Sequence, residues 1–463
     1  MKQSQNMNPE NIIVGLDIGT TKICCIVAKK NENQKIEILG TGMVPSRGVR
    51  DGEVDNIQDT TEDIIAACQK AKDKTGIDFK EVFVGIAGAH IKSTQFTLGI
   101  TRQNPEKLID YEDIKALEEQ IANLKTAPGE QIISYHAQEY YVDQKQPLRN
   151  KPIGMRGNRL EANWHVIKGN SNSTDNLVTS VEDAGYIPIG LDLEPLASAA
   201  SVLTHEQMSE GVCLVDIGGG TTDIAIFHKG IIRHTAIFPY AGEYITSIIQ
   251  DKMRLTYQTA RKLKENQNYT SALFEHISDK KLLSVRNLDN LPPVHIPMRY
   301  YCRLVNACLE QIFGQVKKEI AYSNFGDKLN AGIVVTGGGA MIANLKPMVE
   351  QFIGLHTSIG MPTGRLSNLQ DQAYSQTIFA TSIGLALLAA EKSGSVVEEE
   401  PISSSRIKIE EEITPDISHN LYDDEVESIP KKNAAWLLNL AKTFKDFMLA
   451  DEITSDFEDT HRK

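Results

Sequence analysis

Two segments of the 463-residue chain, "IVGLDIGTTKICCIV" at residues 13–27 and "LVDIGGGTTDIAIF" at residues 214–227, follow one plan. In each, an apolar run reaches an aspartate, turns on glycine and threonine, and continues as a second apolar run. That reads as strand–turn–strand. An ordinary glycine-rich hairpin accounts for one such segment taken alone. Two of them, in equivalent places of the two halves, are the mark of an internal duplication. A chain of this length holds about two to four compact domains. The economical arrangement is a pair of related α/β domains that face each other, each offering one Asp-bearing turn.

The intervening pattern fits that plan. After the strand "KIEILGTGMV" comes a helix in which Ile57, Ile64, Ile65, Cys68 and Ala71 recur near the helical period, with Gly76 as its stop. "EVFVGIAGAHI" reads as a buried strand. From about Ala87 to Lys168 the character changes: the charged helix "YEDIKALEEQIANL" precedes two β-rich stretches, which together read as a small inserted α+β unit. A charged, largely helical region is expected from Thr246 to about Asn290. A helix with Leu304, Cys308, Ile312 and Val316 on one face follows, then the strand "AGIVVTGGG" and a helix in "SQTIFATSIGLALLAAEK".

The turns carry the chemistry. Gly218, Gly219 and Gly220 have no side chains to hold a phosphate oxygen away from consecutive backbone N–H groups. Gly19 does the same in the first turn, and Thr20, Thr21, Thr221 and Thr222 add hydroxyl donors. Carboxylates beside a phosphate repel it unless a cation intervenes, so Asp17 and Asp216 point to hydrated Mg²⁺ between protein and phosphates. Lys22 can neutralise phosphate charge directly. A third turn, Gly337, Gly338 and Gly339 in "VVTGGGAMIANL", ends a buried strand and opens a helix, where backbone N–H groups can meet a nucleotide's sugar and α-phosphate. Neither GxxxxGK[ST] nor an ordered GxGxxG is present, which disfavours both common nucleotide folds.

Charge and cysteine usage narrow the class. Residues 394–430 hold eleven Asp/Glu against two Lys/Arg, so this stretch supplies −9 of the net −13. The remainder has no basic face of the kind nucleic acid requires. The acidic stretch is poor in aromatics and is expected to be a disordered linker. None of the six cysteines forms a CxxC pair, and they read as small core residues in a reducing compartment. The polar start "MKQSQNMNPEN" is not a signal peptide, and no run of about eighteen apolar residues spans a membrane.

Beyond the linker, Trp436, Leu437, Leu440, Ala441, Phe444, Phe447 and Met448 fall within about 140° of a helical wheel. Residues 431–450 carry four Lys and one Asp, a net +3. That is the pattern of a helix lying in a membrane interface beside anionic headgroups. A helix that docks on a protein groove or on the chain's own core has the same apolar stripe.

The three turns together resemble the nucleotide site of the actin, sugar-kinase and heat-shock chaperone superfamily. "LDLEPLASAASVL" (residues 191–203), "FPYAGEYITSII" (residues 238–249) and the order of segments from about Asn11 to Glu391 resemble the FtsA family of bacterial cell division proteins. The resemblance implies an α/β, actin-like pair of ATPase domains. Domain 1 would comprise residues 11–86 and 169–210, completed by helix 374–392, with 87–168 as the inserted subdomain 1C. Subdomain 2A would comprise 211–243 and 307–373, and 2B 244–306. A disordered N-terminus (1–10), the linker (394–430), an amphipathic membrane-targeting helix (431–452) and a tail (453–463) complete the chain. By the same resemblance Glu194 positions the attacking water, although it also reads as a helix N-terminal carboxylate facing the dipole. Lys264 falls near the adenine, and Arg261 stands where the family usually has an acidic residue near the ribose.

What the family implies for function is ATP with Mg²⁺ as cofactors, binding rather than fast turnover, and self-association into filaments. It also implies FtsZ as a partner, other divisome proteins met through 1C, and an anionic membrane surface at the cytoplasmic face of the inner membrane. A sugar-type kinase of the superfamily shares the turns, but it has no evident use for an anchor on a tether. A chaperone ATPase would need a substrate-binding β domain after the nucleotide domains. A pilus or secretion scaffold stays open.

Overall fold

The apolar run before Asp17 forms β1 (Ile12–Ile18), buried from Ile13 onward. It pairs antiparallel with β2 (Lys22–Lys30), which pairs with β3 (Ile36–Pro45). A tight hairpin, β4 (Val49–Arg50) and β5 (Glu53–Val54), leads to α1 (Ile57–Thr75). Asn56 caps α1 by accepting from Asp59 N–H, and Gly76 ends it at φ 69°, its N–H donating to Lys72 O. Ile64, Cys68 and Ala71 face the core, whereas Ile65 is on the exposed side. β6 (Glu81–Ile86) then lies parallel to β1. The computed structural model describes residues 12–31, 35–266, 268–287, 292–362, 364–367 and 374–392. The expected N-terminal tail, the acidic linker, the helix bearing Trp436, Leu437, Leu440, Phe444, Phe447 and Met448, and the final tail lie outside these residues.

The inserted unit is β7 (Lys92–Thr101), α2 (Tyr111–Ala122), β8 (Glu130–Val142) and β9 (Arg159–Asn170), with sheet order β7-β9-β8. Asp110 opens α2 with a reciprocal cap to Asp113. Ile114, Leu117 and Ile121 of this helix meet Tyr140, Leu160 and Trp164 in a core separate from that of the larger sheets. The chain returns through α3 (Ser171–Asp183) to β10 (Ile187–Leu193), parallel to β6. α4 (Glu194–Val202) and α5 (His205–Glu210) cross to the second lobe.

There β11 (Val212–Ile217), β12 (Thr222–His228) and β13 (Ile231–Phe238) repeat the β1–β3 meander. They are followed by α6 (Gly242–Met253), α7 (Tyr257–Glu265), a hairpin of β14 (Leu282–Val285) and β15 (Val294–Pro297), and the long α8 (Met298–Tyr322). β16 (Ile333–Thr336), α9 (Leu345–Ile353) and β17 (Thr357–Ile359) complete the lobe. The sheet orders β3-β2-β1-β6-β10 and β13-β12-β11-β16-β17 are the same, element for element. The helical expectation from Thr246 to Asn290 holds only to Glu265. In "YTSALFEHISDK" the short polar side chains bond the local backbone instead, Thr270 Oγ1 to Leu263 O and Ser271 Oγ to Leu273 O.

The last described helix, α10 (Ala380–Lys392), belongs to the first lobe and begins later than the sequence pattern indicated. It packs beside Ile13, Cys24, Ile26 and Phe83. A Cβ on Gly15 would lie 2.8 Å from both Ala386 N and Ser382 O, so the helix backbone rests directly on β1. α10 crosses α4 just as closely, because a Cβ on Gly384 would collide with the Ala197 carbonyl. Gly384→Ala is therefore expected to pry the two helices apart at a cost of about 1–3 kcal/mol. A shifted urea midpoint with an unchanged slope checks it.

The insert reaches across to the edge strand β13. Ser93 Oγ donates to Thr235 O (2.9 Å), Gln95 Nε2 to Arg233 O (3.0 Å) and Gln138 Nε2 to Ile232 O (2.5 Å). Arg233 Nη2 pairs with Glu139 Oε1 at 2.8 Å. Burial, with His136 and His234 nearby, pushes the His165 imidazole down to about 3. It meets Thr235 Oγ1 at 2.9 Å as a neutral ring. All six cysteines are buried and free, as their apolar settings indicated.

Candidate functional site

Both turns are built the same way. The last paired residues are Ile18 with Ile23 and Ile217 with Thr222, leaving loops 19–22 and 218–221 of equal length. Each loop closes on one backbone bond, Gly19 N–H to Lys22 O (3.0 Å) and Gly218 N–H to Thr221 O (2.9 Å). Register places Asp17 opposite Cys24 and Asp216 opposite Asp223, so only the second hairpin carries a carboxylate on both strands. The turns meet face to face. A Cβ on Gly219 would collide with Thr21, and one on Gly220 with Thr20. With Glu194, Gly337 and Gly338 they wall one cleft.

Each leading aspartate is anchored from the helices behind it. Asp17 Oδ2 accepts from Ser382 Oγ (2.8 Å) and pairs with Lys22 Nζ (2.5 Å). Asp216 Oδ2 accepts from Ser198 Oγ (2.5 Å) and Thr381 Oγ1 (3.1 Å). Thr381 and Ser382 are consecutive on α10, so one turn of one helix holds both carboxylates. The other oxygen of Asp216 lies against Gly337, which keeps φ 80° and ψ −178° and has no room for a Cβ there.

The electrostatics are dominated by burial. Burial, then the Asp17 and Asp223 charges, push Glu194 well above the ordinary carboxylate range. Burial and Asp216 do the same to Asp223. Asp216 is raised by burial, although its Ser198 and Thr381 hydrogen bonds oppose this. Burial by itself would lower Lys22, but Asp17 beside it holds its pKa above the usual lysine value. Four buried carboxylates thus face one ammonium group. Such a cleft takes up protons or cations, and it admits a polyanion only with a cation. Among the described residues no three His, Cys, Asp or Glu side chains converge as a direct metal-ligand set. With the Oδ2 atoms of Asp17 and Asp216 engaged by hydroxyls, the residues fit an ion held through its water shell rather than by direct ligation.

Of the residues singled out in the sequence, Asp17, Gly19, Thr20, Thr21, Lys22, Glu194, Asp216, Gly218, Gly219, Gly220, Thr221, Gly337 and Gly338 all line this cleft. Glu194 is also the first residue of α4, at the helix N-terminus. Three others are not in its wall. Thr222 is buried, and its hydroxyl donates to Tyr240 O (2.6 Å). Gly339 is buried against Ile217. Lys264 Nζ donates to Gly242 O and Thr246 Oγ1, both at 2.7 Å, beside the Gly218 turn. The third glycine turn forms a single 3-10 turn, Gly338–Met341, and the helix starts only at Leu345. Arg261 pairs with Glu265 at 2.9 Å.

Sequence reasoning gave no role to Asp223, which lines the cleft with its Oδ1 buried and unpartnered. A signal existed, since antiparallel pairing across the four-residue turn sets it opposite Asp216. Ser198, Thr381 and Ser382 had none, because their roles depend on helix packing across 18 to 365 residues of sequence.

Residues 213–384 match the model of the family described as "Cell division protein FtsA", and residues 88–168 that of the "SHS2 domain inserted in FTSA". The chain is 34% identical over 381 residues to the cell division protein FtsA of Pseudomonas aeruginosa, covering 82% of this chain and 90% of that one. It is 32% identical to that of Neisseria meningitidis (83% and 92% covered) and 29% identical to that of Escherichia coli K12 (81% and 89%). Among solved structures it is similar to the PilM–PilN type IV pilus biogenesis complex, with TM-score 0.59, 13% identity, and 82% and 99% covered. It is also similar to MreB5 of Spiroplasma citri bound to AMPPNP, with TM-score 0.51, 14% identity, and 83% and 98% covered. These likenesses show the fold.

Proposed function

The chain belongs to the FtsA family of cell division proteins, and from that membership we propose that it binds ATP with Mg²⁺, assembles into filaments and holds FtsZ at the cytoplasmic face of the inner membrane. Its fold is actin-like, with an inserted SHS2 domain. The observation that carries the nucleotide reading is the pair of equivalent aspartate-opened turns that close on one acidic cleft.

In this reading the backbone N–H groups of the two turns and the hydroxyls of Thr20, Thr21 and Thr221 donate to the terminal phosphates, and Lys22 offsets their charge. Hydrated Mg²⁺ supplies the charge neutralisation that lets a polyanion enter among carboxylates, with Asp17 and Asp216 holding its waters. Glu194, its pKa raised by burial, orients a water toward the terminal phosphate. Lys264 acts indirectly. By bonding Gly242 O it holds the first turn of α6, whose Gly242 and Glu243 N–H groups donate to Gly218 O and Gly219 O. Gly337 and Gly338 face the sugar and α-phosphate.

The helix of residues 431–452 is the membrane anchor in this proposal, and the acidic stretch of residues 394–430 is its tether. The region between about Tyr244 and Asn306 meets FtsZ, and the insert meets other division proteins. Among the described residues no helix is long and apolar enough to cross a membrane, and an interfacial helix needs none. Sedimentation with anionic liposomes, ATP and Mg²⁺ tests the reading. The full chain is expected to pellet and to bring added FtsZ with it, whereas a chain ending at residue 393 stays in the supernatant. Full chain left in the supernatant, or pelleting unaffected by the truncation, overturns the anchor.

A further inference from the structure

The hairpin of β4 and β5 has a tip of two residues, Asp51 at φ 49° and Gly52 at φ 80°, with Arg50 paired to Glu53 and Val49 to Val54. Two positive φ values in succession make the tight primed turn that a two-residue loop requires. This tip reaches the cleft. Gly52 lines it, and Gly52 N–H donates to Thr20 Oγ1 at 3.0 Å. A Cβ on Gly52 would lie 3.0 Å from Thr221 Cγ2, and one on Gly220 would lie 3.0 Å from Asp51 Cα. The tip therefore touches the first turn and the second at once.

One residue from the tip, Glu53 ties the hairpin to the root of the insert. Its Oε1 packs 3.0 Å from His90 Nδ1, on the chain entering the insert, a close contact without hydrogen-bond geometry. Its Oε2 accepts from Ser173 Oγ at 2.8 Å, on the chain leaving it. The two crossings also abut each other and the hairpin. A Cβ on Gly169 would sit 3.2 Å from the His90 ring, and one on Gly88 would sit 2.9 Å from Glu53 Cγ.

We propose that the Asp51–Gly52 tip is part of the phosphate site, positioning the Thr20 hydroxyl, and that Glu53 passes the state of the site to the insert. The inference rests on the nucleotide reading above. Because Thr20 Oγ1 accepts from Gly52, its own proton is directed away from the hairpin and is free to donate to an anion. A terminal phosphate that enters between the turns changes the separation of Thr20 from Gly220 and Thr221, and the tip spans that gap. The hairpin is too short to absorb the displacement by bending, so the shift reaches Glu53 and both chain crossings. A nucleoside diphosphate leaves the gap unfilled and the hairpin unmoved. Gly52 is thus a positioning residue, and Glu53 is a relay outside the phosphate site.

Hydrogen–deuterium exchange of the full chain with Mg²⁺ and either ATP or ADP tests this. In the wild type, ATP relative to ADP is expected to slow exchange at residues 50–54, 88–101 and 159–173 by at least about fivefold. Glu53→Gln is expected to keep the protection at residues 50–54 and an unchanged ATP affinity, while losing the ATP–ADP difference in the insert. Ser173→Ala, which removes one of the two links, is expected to lose the difference at residues 159–173 first. If Glu53→Gln retains the full difference, or if the glycine turns respond to ATP while residues 50–54 do not, the relay is overturned. Turns that respond to neither nucleotide would overturn the nucleotide site itself, and the relay with it.

Discussion

Gly337→Ala is expected to abolish nucleotide binding and to destabilise the chain by about 2–5 kcal/mol, the sum of a glycine-only backbone conformation and an overpacked contact. Gly337 sits at φ 80° and ψ −178°, a region that side-chain-bearing residues avoid. An added Cβ would meet Asp216 Oδ1 and the Ile217 carbonyl. To relieve that clash Asp216 must swing, and its hydrogen bonds to Ser198 and Thr381 break with it. The control is the next residue. Gly338 also lines the cleft, but a Cβ there meets nothing, so Gly338→Ala is expected to melt like the wild type. Calorimetric titration with ATP and chemical denaturation of both variants check the pair. Equal stability of the two alanine variants contradicts the account.

Asp223→Asn is expected to have opposite effects on stability and on binding. Asp223 is buried, Thr221 reaches only its Oδ2 (3.4 Å), and burial together with Asp216 raises its pKa well above the ordinary 3.8. An acid whose folded pKa is raised binds its proton more tightly when folded. Stability therefore falls as pH rises from the unfolded value toward the folded one. Below that window both states are protonated, and the substitution changes little. Above it, removing the charge is expected to stabilise the nucleotide-free chain by about 1–3 kcal/mol, the usual cost of a buried polar group without a partner. The same variant removes one of the carboxylates that make the cleft take up cations, so Mg²⁺-dependent nucleotide affinity is expected to drop. Melting curves without nucleotide between pH 4 and pH 8 check the sign. A variant less stable than the wild type at pH 8 refutes it.

The two lobes and most of the cleft were legible in the sequence because a phosphate turn leaves a local signature. The aspartate, the glycines and the hydroxyls lie within eight residues, between strands whose apolar runs mark their limits. The FtsA-like stretches at residues 191–203 and 238–249 gave the family. Contacts between distant segments were not legible. Nothing in "FATSIGLA" announces that Thr381 and Ser382 bind two aspartates from different lobes, nor in "VRDGEV" that the tip of a hairpin touches both turns. The hydroxyl of Thr222 reads as a phosphate donor in the sequence, but strand alternation turns it away to Tyr240 O. The helix expected past Glu265 failed for a related reason, since Thr270 and Ser271 satisfy backbone groups locally.

The contact of Gly15 with Ala386 has a consequence for how the chain is made. β1 leaves the ribosome long before the helix that covers it, which stands about 365 residues later and is the last described element. At about 5–20 residues per second, translation takes roughly 20–75 s to bring the two together. Throughout that time one face of the first sheet is bare, although the second lobe can already close on its own β11–β13 and β16–β17 strands. A nascent chain in this state is a natural client for holding chaperones. Rare codons or pauses between residues 212 and 380 would prolong that exposure, with no change in the finished protein.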